Sequence, residues 1–183
     1  NSTSCVFSVQ TEDVTAPVVT CPLDLNVDFD ENCEFSLNDY SSLVTVTDNC
    51  SEGFTLSQSP SVGATFSSST SVSVTVLDNS GNAASCSFNV IPADNTPPEI
   101  TCSGDVDVQV DVNCSYQISD FNGFATTQDN CSNNVTVSQS PLAGTWESST
   151  ITVTLTADDG NGNVASCSFD VAPIDSEAPT ITC

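Results

Sequence analysis

Lysine, arginine, histidine and methionine are all missing from this chain of 183 residues, whose 24 aspartates and glutamates give a formal charge of −24. Each absence closes off a class of function. Nucleic acid and anionic membrane surfaces are excluded as electrostatic partners, because both are held by Lys and Arg. General-base chemistry on histidine, Schiff-base chemistry on lysine and anion clamping by arginine all lack their residues. No side-chain salt bridge can form, so the repulsion among carboxylates falls to solvent screening or to bound cations. Apolar runs are short, far below the roughly 20 residues of a membrane-spanning helix, so no membrane insertion is expected. The opening residues Asn1-Ser2-Thr3-Ser4 show neither a starting methionine nor a signal-peptide pattern. A mature chain, or a section of a longer one, is expected.

Cysteine, by contrast, is abundant. Ten cysteines in an acidic chain point to an oxidising, extracellular or cell-surface setting and to disulfides. Structural zinc is the rival use, but its close paired spacings and histidines do not occur.

The cysteines also display the organisation. They fall at 5, 21, 33, 50, 86, 102, 114, 131, 167 and 183, and subtracting 81 carries each of the last six onto an earlier one. The intervening text agrees: Asp48-Asn49-Cys50-Ser51 matches Asp129-Asn130-Cys131-Ser132, and Ser57-Gln58-Ser59-Pro60 matches Ser138-Gln139-Ser140-Pro141. Two whole units are expected, over 15–95 and 96–176. Residues 1–14 resemble the closing strand of a preceding unit, since Cys5, Phe7 and Val9 fall on Cys86, Phe88 and Val90, and residues 177–183 open a following one. The expectation is a window on a longer array.

Alternation with a period of two dominates each unit. Val72, Val74 and Val76 alternate with Ser and Thr, and Val106, Val108 and Val110 with Asp and Gln. Gly, Asn, Asp and Pro punctuate the alternation. The fold class predicted is all-β: tandem antiparallel β-sandwiches of about seven short strands per 81-residue repeat.

Pro98-Glu99-Ile100-Thr101-Cys102, then Asp129-Asn130-Cys131, then Gly160 through Val171 with its Cys167-Ser168-Phe169 resemble the hyalin-repeat (HYR) family. The first unit shows the same pattern from Pro17 to Pro22 and from Asp78 to Val90. The resemblance covers the whole chain and implies immunoglobulin-like extracellular modules, found in tandem in adhesive matrix proteins and long bacterial surface adhesins. Ser103 departs from the proline that the family usually places there, as at Pro22.

In such a fold Cys21 and Cys86 sit at similar heights on neighbouring first and last strands. This favours Cys21–Cys86 and Cys102–Cys167, and by elimination Cys33–Cys50 and Cys114–Cys131. The resemblance adds that family members lacking one cysteine of the second pair tend to lack both. Chain-entropy arguments give roughly 4 kcal/mol for the long loop and about 3 for the short one. A rival scheme stays open, with 5–21, 33–50, 86–102, 114–131 and 167–183. Under the preferred scheme Cys33 starts a strand at one pole while Cys50 follows it, so residues 39–49 must fold back.

Three oxygen-rich stretches recur. Linkers carry Asp13, Asp94 and Asp175; a loop carries Asp48 or Asp129; the last turn carries Asp78 and Asn82, or Asp159, Asn161 and Asn163. In a sandwich these stretches share one pole. Hard oxygens on loops suit Ca²⁺, with its six to eight ligands, better than a transition metal. The competing view is that Asp and Asn serve turn geometry alone. Trp146, where unit one has Thr65, is expected as a local core plug, with exposure for contact as the alternative.

Three functions are weighed. The first is a structural section of a long extracellular stalk or filament, whose partners are neighbouring repeats and laterally associated chains, stiffened by disulfides and calcium. The second is an adhesive module for a carbohydrate or protein receptor. The third, an enzyme, has only carboxylate pairs such as Asp158/Asp159 to work with, and is not expected.

Overall fold

The computed structural model describes residues 2–50 and 53–178. The chain divides between Ala93 and Asp94 into two compact units. The first holds β1 (Val18–Thr20), β2 (Leu25–Asp28), β3 (Phe35–Ser36), β4 (Thr45–Thr47), β5 (Phe54–Ser59), β6 (Thr65–Phe66), β7 (Thr70–Asp78) and β8 (Ala83–Ala93). The second holds β9 (Glu99–Cys102), β10 (Val106–Gln109), β11 (Tyr116–Gln117), β12 (Ala125–Gln128), β13 (Thr136–Ser140), β14 (Trp146–Glu147), β15 (Ile151–Asp158) and β16 (Val164–Ile174).

Each unit is an all-β sandwich built around a four-stranded sheet, β2-β8-β7-β5 or β10-β16-β15-β13. Two-stranded ladders complete it: β1-β4 and β3-β6 in the first unit, β9-β12 and β11-β14 in the second. Eight strands are therefore described per unit, not seven, because the first strand is split. β1 pairs antiparallel with β4, the chain then crosses over, and β2 pairs parallel with β8. Pro22 sits at the break in the first unit; it has no N–H to continue a ladder. Gly104, at φ 105°, marks the same break in the second.

Alternation decides the core. Val72, Val74 and Val76 on β7, with Phe88 and Val90 on β8, pack against Phe35, Leu37 and Tyr40. Val153, Leu155, Phe169 and Val171 pack likewise with Tyr116, Ile118 and Phe121. Each buried aliphatic side chain contributes about 1.5–3 kcal/mol. A glutamine pins each core. Gln139 Oε1 accepts the Phe121 N–H (2.6 Å) while Nε2 donates to Ser119 O (3.0 Å) and Pro141 O (3.1 Å). Gln58 does the same for Tyr40, Asn38 and Pro60.

The fold-back of residues 39–49 is a 3₁₀ turn, Ser41–Leu43, after which β4 runs along β1. Cys33 does not start a strand. It sits with φ 57° in the turn between β2 and β3, as Cys114 does with φ 56° between β10 and β11. Among residues 2–14 no strand forms. Phe7 and Val9 are exposed there, whereas their repeat equivalents Phe88 and Val90 are buried in β8. An isolated strand has no ladder to hold it.

A carboxylate cluster at one pole of each unit

The turn between β15 and β16 is built on Asp159. Its Oδ1 accepts the backbone N–H groups of Asn161 (2.8 Å) and Asn163 (3.0 Å), and its Oδ2 accepts Asn163 Nδ2. Gly162, at φ 104°, supplies the left-handed step that curls those donors inward. Asp78 holds the β7–β8 turn identically, through Ser80, Asn82 and the Asn82 side chain. The same asparagines reach the incoming linker: Asn163 Nδ2 donates to Asp94 O (3.1 Å), Asn82 Nδ2 to Asp13 O (3.0 Å).

Asp129 follows β12 at that pole. Its Oδ1 accepts the N–H groups of Cys131 (2.9 Å) and Ser132 (2.6 Å), which leaves Oδ2 aimed inward. Asp94 Oδ1 caps the Thr96 N–H and its Oδ2 receives Asn161 Nδ2. The result is a gathering of Asp94, Asp129 and Asp159, and a second of Asp13, Asp48 and Asp78, with one oxygen from each residue within 4.8 Å of the others.

Electrostatically these are unusual clusters. Asp78, Asp94 and Asp159 are buried, and no cationic side chain exists in the chain to neutralise them. Burial pushes the Asp159 carboxyl up, but the Asn163 side chain and the N–H groups of Asn161, Asn163 and Gly162 outweigh it and hold the group below its ordinary range. Asp78 is lowered in the same way by Asn82, Ser80 and Gly81. The Oδ2 atoms of Asp13 and Asp129 are buried without a hydrogen-bond partner. Such a set fits a hard divalent cation. Calcium–oxygen distances of 2.3–2.6 Å place ligands on opposite sides of the ion about 5 Å apart, which accommodates oxygens within 4.8 Å of one another.

The structure brings together Asp13, Asp48 and Asp78, and separately Asp94, Asp129 and Asp159. Asn82, Asn161 and Asn163 stand beside them, but their amide nitrogens face the carboxylates as donors. Asp175 joins neither group. It caps the Glu177 N–H and lines a depression at the opposite pole with Asp111, Cys114 and Glu177.

Of the cysteines, Cys21 is bonded to Cys86 and Cys102 to Cys167, with Cα–Cα distances of 5.7 and 5.8 Å. That excludes the rival scheme, which needs 5–21 and 86–102. The expected Cys33–Cys50 and Cys114–Cys131 bonds are not formed. Cys50 and Cys114 are free, exposed thiols, whereas Cys33 and Cys131 are each in a disulfide. The reason is distance. Cys33 and Cys114 lie at the pole where β8 and β16 end, Cys50 and Cys131 at the pole where those strands begin. Eleven residues of strand, roughly 35 Å, separate the two poles, and a disulfide spans Cα atoms only about 4.4–6.8 Å apart.

Trp146 does not plug the core. It is 59% exposed on the short edge strand β14, opposite Gln117. The glutamine pins were invisible as a role in the sequence, although the repeated Ser-Gln-Ser-Pro marked their place.

The HYR domain profile matches residues 12–91 and again 93–172. The chain belongs to the HYR family. It is 32% identical to "Hyalin" of Strongylocentrotus purpuratus over 191 aligned residues, covering all of this chain and 16% of that protein. Among solved structures, human mucin-like protocadherin EC1-2 aligns with 87% of this chain and 99% of its own, at TM-score 0.37 and 11% identity. Titin-A168169 aligns with 88% and 100%, at TM-score 0.37 and 12% identity. The two HYR units thus account for nearly all of the described residues.

Proposed function

We propose that the chain is a structural section of a long extracellular stalk or filament, in which each HYR unit is stapled by a disulfide and tied to its linker by Ca²⁺. The carrying observation is the recurrence, in both units, of three carboxylates within 4.8 Å in a chain with no basic side chain. Linker, mid-unit loop and last turn each supply one acid, so an ion held among them reinforces the hydrogen bonds that already tie the linker to the last turn. Asp13, Asp48 and Asp78 hold one ion and Asp94, Asp129 and Asp159 the other; Asn82, Asn161 and Asn163 orient the carboxylates. Asp175 holds the corresponding linker place for a following unit. Bound calcium supplies charge neutralisation, and the chain's own N–H donors keep the spare oxygens turned inward. No reaction chemistry is assigned to the cluster.

Isothermal titration of the chelator-treated chain tests this. Two sites with Kd on the order of 0.1–1 mM are expected, one lost in Asp129→Asn and the other in Asp48→Asn. Absence of saturable binding up to about 10 mM, an order above that range, sinks the proposal.

A second reading, receptor adhesion, draws on one observation: Trp146 and Leu142 are exposed in the second unit, where the first has Thr65 and Ser61. An exposed indole is a stacking surface for sugars and apolar side chains. Quenching of Trp146 fluorescence by glycans is its test.

A further inference from the structure

Asn-x-Ser/Thr triplets begin at Asn1, Asn49, Asn113, Asn130 and Asn134. Such triplets accept N-linked sugars when they lie on the surface of a secreted chain. Asn1, and Ser51 of the Asn49 triplet, lie outside the described residues. The other three fall in the second HYR unit, where the fold holds them differently. Asn113 opens a tight turn: its N–H and that of Ser115 both donate to Asp111 Oδ1 (2.9 and 3.0 Å), around Cys114 at φ 56°. Asn130 is half-buried beside the carboxylate cluster. Its Nδ2 points at Cys131 Sγ (3.3 Å), and the Ser132 hydroxyl of its triplet donates to Asp159 O (2.7 Å). A sugar on Asn130 would have to displace these contacts.

Asn134 differs on each count. It lies exposed on the irregular stretch between β12 and β13, its middle residue is Val135, and among the described residues its amide makes no hydrogen bond. Thr136 opens β13 with its side chain exposed and a long bond from Oγ1 to Asp158 O (3.4 Å). Beside Asn134 an open depression of about 320 Å³ is lined by Thr127, Gln128, Ser132 and Asn133. Those hydroxyl and amide groups suit the hydroxyls and acetamido group of a first sugar, which fits there without moving the chain. The first unit offers no counterpart. Its equivalent residue is Gly53, where an added Cβ would stand 3.0 Å from Asn79 Nδ2.

We infer that Asn134 is the N-glycosylation acceptor of the second HYR unit; this rests on the extracellular reading above, because the sugar donor is met on the secretory route. The donor is an oligosaccharide carried on a polyprenol diphosphate. Asn134 Nδ2 attacks C1 of the first sugar, the C1–O bond to the diphosphate breaks, and the lipid diphosphate leaves. One Nδ2 proton passes to a base of the transferase. A C–N bond replaces a C–O bond, with no change of oxidation state. The glycan then stands on the loop that carries Asp129, a bulky hydrophilic group that the same loop of the first unit lacks at that place.

The test expresses the full chain in mammalian cells behind a cleavable secretory leader and recovers it from both medium and cells. One sample is treated with peptide N-glycanase in heavy-oxygen water, and another with the heavy water alone to register spontaneous deamidation. Both are reduced, alkylated, cut at aromatic residues and sequenced by mass spectrometry. Enzyme-dependent heavy-oxygen label is expected on residue 134. Thr136→Ser should keep that label, and Thr136→Ala should lose it with secretion unchanged. An unlabelled Asn134 overturns the inference, and so does label at Asn113 or Asn130. The extracellular reading is checked separately, on a non-reduced sample: the chain should reach the medium with Cys21–Cys86 and Cys102–Cys167 formed. Failure there leaves the label on the cell fraction to decide the inference by itself.

Discussion

One phenolic hydroxyl occupies different places in the two cores. The first unit has Phe35 and Tyr40; the second has Tyr116 and Phe121 at the same repeat positions. Tyr116 donates to Ser149 O at 2.9 Å, with Val171 O at 3.3 Å, whereas the Tyr40 hydroxyl is buried without a partner. The ring of Tyr40 stands edge-on to Phe88 just as Phe121 does to Phe169, so the hydroxyl adds desolvation cost without changing the packing. An unmade buried hydrogen bond costs about 1–3 kcal/mol, while a made one contributes about 1. Tyr40→Phe should therefore stabilise the first unit by about 1 kcal/mol, and Tyr116→Phe should destabilise the second by a similar amount. Differential scanning calorimetry of the two variants checks this, and midpoints moving in the same direction refute it.

Turns and strand breaks set the next scale. Where the first strand restarts as β2, Asp24 accepts the Asn89 N–H (2.7 Å) and Asn89 Nδ2 (3.2 Å); in the turn after β10, Asp111 accepts the N–H groups of Ser115 and Asn113. These bonds hold both carboxyls below their ordinary value of 3.8: the Asn89 backbone donor dominates for Asp24, and that of Ser115 for Asp111. A depressed folded-state pKa means that the stabilisation is whole above 3.8 and is lost as the pH falls through the folded value. In chelator, the urea midpoint should fall as the pH drops below about 4. The double variant Asp24→Asn/Asp111→Asn should show a shallower fall, and an unchanged slope would assign the acid sensitivity elsewhere. At this scale the sequence was most legible. Alternation of Val72, Val74 and Val76 named the core face, the 81-residue period showed that the acidic stretches recur, and the loop arrangement of a sandwich gathered Asp94, Asp129 and Asp159 at one pole. What escaped was long-range. The restart of the first strand as a parallel neighbour of β8 depends on a pairing distant in sequence. The separation of Cys33 from Cys50 depends on which pole each turn reaches, and short sequence spacing disguised it. Trp146 was misjudged because a two-residue edge strand gives no alternation from which to infer facing.

For the whole molecule, the net charge of −24 sets the mechanical problem. The acidic loops and linkers repel one another, and no cationic side chain within the chain offsets that repulsion, so compactness near the linkers depends on the solution. Monovalent salt screens charges more than about 8–10 Å apart but acts weakly within a carboxylate cluster. A divalent ion acts where screening does not, by bridging oxygens within 4.8 Å. The linker acid Asp94 decides whether that bridging restrains the linker or merely the loops behind it, because Asp129 and Asp159 belong to the body of the unit. With Asp94 in place, adding calcium should narrow the distribution of inter-unit distances measured by small-angle scattering, and the effect should persist at 0.5 M NaCl, where the Debye length is roughly 4 Å. Asp94→Ala should retain weakened ion binding at the loops yet lose the narrowing. If wild-type scattering is the same with calcium and with chelator, the restraint comes from Pro97, Pro98 and packing, and the acids serve turn geometry alone.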